Sequence, residues 1–160
     1  MTPAIPTIRP FPELDYYDSR SVLLPVAVSP IEAWNLLMAQ PQPVLRLAFR
    51  IRDAISARFG ANRVGGFTDN PRKDLTAGDR LDFFTVEAAR PDALVLTARD
   101  SHLDVMTTIT TAGRKLTVTA SVVTHNSFGR AYMLVVGPAH KLIVAVMLRK
   151  LRLALKPDPA

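Results

Sequence analysis

In the second half of the chain, apolar and polar residues first alternate with a period of two and then shift to helical spacing. Residues 80–89, 93–99, 102–111 and 115–125 read as strands, separated only by Arg90-Pro91-Asp92, Asp100-Ser101 and Ala112-Gly113-Arg114. Connections this short join antiparallel neighbours. With Ala112 paired to Lys115, Leu103 faces Thr124, Val105 faces Val122 and Ile109 faces Val118. These residues, with Leu116 and Ala120, make one apolar face, which Leu94, Leu96 and Ala98 extend. The other face reads His102, Asp104, Met106, Thr108, Thr110, Thr117, Thr119, Ser121, Val123, His125. That pattern predicts a sheet buried on one side and wet on the other.

A helix follows to Leu155, with Asn126 and Ser127 as its caps. Pro138 predicts a kink or restart, because it removes a hydrogen bond and crowds the carbonyl of Leu134 at a cost of ~3 kcal/mol. On a helical projection Tyr132, Val135, Val136, Ala139, His140, Ile143, Val146 and Met147 share a stripe, which is expected to cover the apolar face of the sheet. Earlier in the chain, Ser29-Pro30-Ile31-Glu32 is a capping box that starts a helix ending near Gln40, before Pro41 and Pro43. Helical spacing of Val44, Leu47, Ala48, Ile51, Ile55 and Phe59, with Gly60 as C-cap, predicts a second short helix. A first strand is expected around residues 20–28, and a loop over 61–78 with an edge strand at 63–68. The proline-rich start reads as a loosely packed arm over 1–14, followed by one α+β domain over 15–156 and a tail over 157–160.

Composition narrows the field. A chain of 160 residues buries about 70% of its unfolded surface, enough for one core. The absence of cysteine removes disulfides, thiolate metal sites and a cysteine nucleophile. The N-terminus lacks a basic start followed by an apolar run, so no signal peptide and a cytoplasmic location are expected. The unbroken apolar run from Leu142 to Leu148 is far short of the roughly 20 residues of a membrane span. The net charge of +6 collects at Lys141, Arg149, Lys150, Arg152 and Lys156, where it complements a helix dipole. Nucleic acid is not expected as a partner, and contact with an anionic membrane surface is the lesser alternative; oligomeric state stays open.

Four segments carry a resemblance: Asp100-Ser101-His102-Leu103-Asp104, Thr124-His125-Asn126, Gly129-Arg130-Ala131-Tyr132, and Gly137-Pro138-Ala139-His140-Lys141-Leu142-Ile143-Val144. They resemble an uncharacterised bacterial family known as domain of unknown function 2867. The first half is similar more loosely, through Asp15-Tyr16-Tyr17-Asp18 and Ile51-Arg52-Asp53 ending at Phe59-Gly60. The element order is also similar to the START-like, or SRPBCC, helix-grip superfamily: a curved antiparallel sheet wrapped around a long C-terminal helix, with two short helices between the first strands. The resemblance implies an apolar cavity and carries no assigned chemistry. Ala139 stands where the family has an aromatic residue, which would widen that cavity, and the family's tryptophan near Val44 is missing.

The candidate ligand-binding residues are Tyr132, Val136, His140 and Ile143 on the helix, with Leu96, Leu103, Val105, Val122 and Thr124 on the sheet. Polar tips in a greasy cavity orient a guest. The expected function is binding of a small apolar or amphipathic molecule without cofactor or metal. The alternative is a cofactor-free cyclase, isomerase or hydrolase with His140 as acid or base and Tyr132 beside it. Asp100, His102, His125 and Asn126 form a separate polar cluster. It reads either as a zinc or iron(II) site or as a tie between turn and helix in which Asp100 fixes a histidine tautomer. No Walker loop, Rossmann fingerprint, nucleophile elbow or HExxH stretch is present.

Overall fold

The structure, a computed structural model, describes residues 5–40, 50, 74–81 and 84–155. The helix expected over 44–59, the edge strand over 63–68 and the tail over 157–160 lie outside the described residues. Strand β1 (Tyr16–Leu23) is followed by α1 (Pro30–Met38), then β2 (Arg80–Leu81), β3 (Phe84–Arg90), β4 (Ala93–Arg99), β5 (Leu103–Ala112), β6 (Lys115–Thr124) and α2 (Ser127–Ala154). The strands form one sheet in the order β1-β6-β5-β4-β3-β2 with every pair antiparallel. This is an α+β architecture with a long C-terminal helix.

The β5–β6 register is the expected one, from Ala112 opposite Lys115 to Leu103 opposite Thr124. Gly113, at φ 60°, supplies the left-handed residue that a two-residue hairpin turn needs. Two strands depart from expectation. The segment 80–89 is a hairpin, with Leu81 paired to Phe84. The first strand overlaps the expected 20–28 but starts and ends earlier, because its bounds follow its partner: Tyr16 pairs with Val122 and Leu23 with Lys115. Pro25, which has no N–H to give to a ladder, lies just beyond it.

One side of the sheet carries the core. Leu94, Leu96, Ile109, Leu116 and Val118 pack with Trp34 and Leu37 of α1 and with Val144, Leu148 and Leu151 of α2. Helix α1 starts as expected: the Ser29 side chain accepts from the Glu32 N–H at 3.2 Å and the Ser29 N–H donates to Glu32 Oε2 at 3.0 Å. It lies over β4 and β5, whereas α2 runs along β1 and β6. The long helix therefore does not cover the apolar face alone.

The opposite face is not wet at its centre. Thr97, Thr108, Thr119 and Ser121 are each no more than 2% exposed. The Ile8 N–H donates to Ser121 Oγ at 2.9 Å and Thr108 Oγ1 donates to the Pro6 carbonyl, while Thr97 donates to Glu87 Oε1 at 2.6 Å and the Thr119 and Ser19 hydroxyls bond at 2.9 Å. Phe11 meets the ring of Tyr17 edge-on with centroids 5.1 Å apart. Residues 5–8 of the arm are thus packed, whereas 9–13 are exposed. Threonine and serine suit either solvent or a covered face once the hydroxyl has a partner, and the alternation alone could not show what covers them.

Helix α2 begins where Asn126 Oδ1 accepts from the Gly129 N–H at 2.9 Å and continues without a restart through Pro138. Pro138 lies on the exposed side, where water can take up the carbonyl that its ring deprives of a donor. The inward line is Gly129, Gly137, His140, Val144, Leu148 and Leu151, with Tyr132, Val136, Ile143 and Met147 half-buried beside it. Val135, Ala139 and Val146, assigned to the inward stripe by the projection, face outward. The helix is apolar on both sides, so periodicity placed the stripe about one position off. An 18-residue window of α2 has mean hydropathy 1.8 with 17% of it buried, so by length and composition alone this helix meets the requirement for a membrane span. Counting only the unbroken run from Leu142 to Leu148 missed this.

Candidate functional site

Alternation along β1 sends Tyr16, Asp18, Arg20 and Val22 to the side that faces α2, because their partners Val122, Ala120, Val118 and Leu116 are on the apolar face. An edge strand thereby brings a phenol, a carboxylate and a guanidinium under a helix. His140 comes down from α2 onto them. The Tyr16 hydroxyl lies 3.2 Å from the Gly137 carbonyl oxygen and 3.2 Å from His140 Nδ1, and the two rings meet edge-on with centroids 5.9 Å apart. Glycine at 137 allows this approach: a Cβ there would stand 3.0 Å from Tyr16 Cε2. Arg20 Nε sits 3.3 Å from Asp18 Oδ2, close enough to pair by charge, yet this buried N–H has no aligned acceptor. Lys141 Nζ lies over the Tyr16 ring, 5.7 Å from its centre.

The two contacts of the phenol assign the protons. Each polar contact needs one hydrogen, and Tyr16 carries only one. Both are satisfied when Tyr16 donates to the Gly137 carbonyl and His140 Nδ1–H donates to the phenol oxygen. That tautomer leaves the His140 Nε2 lone pair free to accept. Burial pushes the Tyr16 pKa up to about 12, with Asp18 pushing the same way and Arg20 opposing, so the phenol keeps its proton. Burial also holds the His140 pKa below its ordinary 6.5; Asp18 opposes this shift and Arg20 reinforces it. At neutral pH this imidazole is a neutral acceptor.

A pH prediction follows from the His140 shift. Below pH 6.5 the unfolded chain takes up a proton at this position that the folded protein resists, so stability is full above the ordinary value and is lost as pH falls through the folded one. Urea unfolding at pH 7.5 and at pH 5.5 should therefore show a smaller acid loss in His140→Gln than in the unsubstituted protein. Equal losses in the two proteins would contradict the burial of this ring.

Tyr132 does not accompany His140. The two are eight residues apart, about 12 Å along the helix axis, and Tyr132 instead stacks on Phe128 with centroids 6.4 Å apart. The phenol beside His140 is Tyr16, legible only once β1 is paired with β6. The other expected lining residues divide into groups. Leu96 is part of the packed core. Val105 and Val122 share a row with Tyr16, and Leu103 and Thr124 form the next row outward. Thr124 gives both its N–H and its hydroxyl to Asp15 Oδ2, at 2.7 and 3.1 Å. Val136 and Ile143 flank the inward line of α2, half-buried.

In the second polar cluster, hydrogen bonds join the 100–103 turn to the start of α2. Asp100 Oδ1 accepts the backbone N–H groups of His102 and Leu103 at 2.7 and 2.9 Å, so it caps the turn. Asn126 fixes the tautomer of His102. Its Oδ1 is held by the Gly129 N–H, which leaves Nδ2 to donate to His102 Nδ1 at 2.9 Å and to the Ser101 carbonyl at 3.3 Å. His102 thus carries its proton on Nε2, packed against Phe128 with ring centroids 4.4 Å apart. His125 turns away to Asp104, which lies between it and Arg99 at 3.1 and 3.2 Å. Among the described residues no three His, Asp or Glu side chains converge as metal ligands.

Fold and site together define an α+β protein whose edge strand and C-terminal helix bring together a phenol, a carboxylate paired with a partly exposed guanidinium, and a neutral imidazole. The chain belongs to a family of proteins of unknown function, DUF2867, whose model matches residues 10–147. No curated protein and no solved structure matches it.

Proposed function

We propose that this chain is a START-like, helix-grip domain that binds a small amphipathic molecule between the inner face of its sheet and α2. The apolar part of the guest lies along Leu103, Val105, Val122 and Val136, and its polar end meets Tyr16, Arg20 and His140. The observation that carries this reading is a neutral imidazole and the Asp18 carboxylate, paired with a partly exposed Arg20, at the edge of an otherwise apolar seam. A seam that served stability alone would do as well or better with hydrophobic residues at Asp18 and His140, since burying polar groups carries a desolvation cost. The buried Arg20 Nε without an aligned acceptor suits a carboxylate or another anionic head group.

Native mass spectrometry for a co-purified guest, followed by titration with a fluorescent fatty acid and with an uncharged apolar dye, tests the proposal. Arg20→Leu should weaken the fatty acid by about tenfold, the loss of one charge-assisted hydrogen bond, and leave the dye nearly unchanged. Failure of the protein to take up either probe, with no guest in the native preparation, would sink it. One observation favours a second reading, a cofactor-free cyclase, isomerase or hydrolase: the tautomer that Tyr16 imposes leaves His140 Nε2 as a base at neutral pH. In that case His140→Gln abolishes turnover while probe binding persists.

A further inference from the structure

We infer that the outward side of α2 docks onto an anionic phospholipid bilayer, with the helix lying in the headgroup plane. A helix on a protein surface ordinarily turns charged and polar residues outward. Here Leu134 is 79% exposed, Val135 75%, Leu142 67%, Leu153 66% and Val146 42%. From Ala131 to Val146 the stripe runs about 22 Å along the helix, with exposed Pro138 and Ala139 between its large residues. Scattered surface leucines need no explanation, but a contiguous stripe does.

Charge selects the occupant. Helix α2 carries Arg130, Lys141, Arg149, Lys150 and Arg152 and not one Asp or Glu. Arg130 and Lys141 border the stripe, and the other three close its C-terminal end. A second copy seated on this face by a two-fold axis would set these cations against one another. An anionic bilayer complements them, and its boundary of headgroups and acyl chains yields to a convex ridge that offers a protein partner no groove. The inward side of α2 stays with the protein through Gly137 against Tyr16 and through Val144, Leu148 and Leu151 in the core. The helix therefore lies on the bilayer and does not cross it.

The test is sedimentation with vesicles of phosphatidylcholine mixed with phosphatidylglycerol and with vesicles of phosphatidylcholine alone. Leu142→Trp serves as a reporter, since the native Trp34 is buried. The protein should pellet with the anionic vesicles, with a blue shift of the new tryptophan. Partitioning should fall about tenfold or more on neutral vesicles, in Leu134→Glu/Leu142→Glu and in Arg149→Gln/Arg152→Gln. All replaced side chains are exposed, so unchanged circular dichroism is expected to confirm the fold in each variant. Three results would overturn the inference: no pelleting with anionic vesicles, pelleting that ignores both double substitutions, or a dimer that Leu142→Glu dissolves in a protein that leaves vesicles alone.

Discussion

Replacing Gly129 by alanine is expected to destabilise the protein by about 3 kcal/mol, despite the ~1 kcal/mol by which alanine outranks glycine in a helix. A Cβ at this position would overlap the His102 carbonyl oxygen and stand 3.2 Å from its carbon and 3.3 Å from Thr124 Cβ. Backbone cannot rotate aside as a side chain can. The same carbonyl accepts the His125 N–H at 2.8 Å, and the Gly129 N–H is the donor to the Asn126 cap. Any shift that makes room for a methyl group loosens the β5–β6 end, the cap and the His102 tautomer together. Urea denaturation would register this as a drop of about 1–2 M in midpoint for a typical urea slope. Gly137→Ala provides the contrast, since the obstacle there is the edge of the Tyr16 ring at 3.0 Å, which can tilt. A midpoint for Gly129→Ala at or above that of the unsubstituted protein would show that α2 does not start against the 100–103 turn.

Trp34→Ala is expected to cost about 3–5 kcal/mol, the usual range for emptying a buried indole site and a large part of the 5–15 kcal/mol that holds most domains together. The side chain is 5% exposed, touches the core between α1 and the sheet, and meets Phe84 edge-on with centroids 5.9 Å apart. The size of this loss measures how far the short helix, rather than the long one, closes the middle of the sheet. Leu134→Ala, on the outward side of α2, should stay within about 0.5 kcal/mol. Chemical denaturation of the two variants side by side decides the matter: similar, small losses would mean that α1 does not pack over β4 and β5 as described above.

Local signals carried well. The Ser29-to-Glu32 box, the Asn126 cap and the Gly113-Arg114 turn each act within a few residues, and each gave the right element or register. Once that turn was placed, the side chains of β5 and β6 named above could be assigned to their faces, because a strand has a period of two. What escaped depends on partners distant in sequence. The extent of β1 is decided by β6, so neither its true bounds nor the inward direction of Tyr16, Asp18 and Arg20 could be read from residues 15–28 alone. The covering of Thr108 and Ser121 depends on Pro6 and Ile8, more than a hundred positions away. His140 stands out in the sequence because it is polar in an apolar helix. Its companion was mistaken for Tyr132, because a projection down the axis hides the distance along it.

Strand β1 is made long before its partner. Among the described residues Tyr16–Leu23 pairs with Lys115–Thr124, and its inward side chains lie under the helix that ends at Ala154. On the ribosome the hairpins from β2 to β6 can assemble in turn as they emerge, but β1 must wait unzipped until β6 has been made. Loops this long close slowly, and an unpaired strand is an invitation to neighbouring nascent chains. Strand β1 is therefore where a molecular chaperone has the longest opportunity to act.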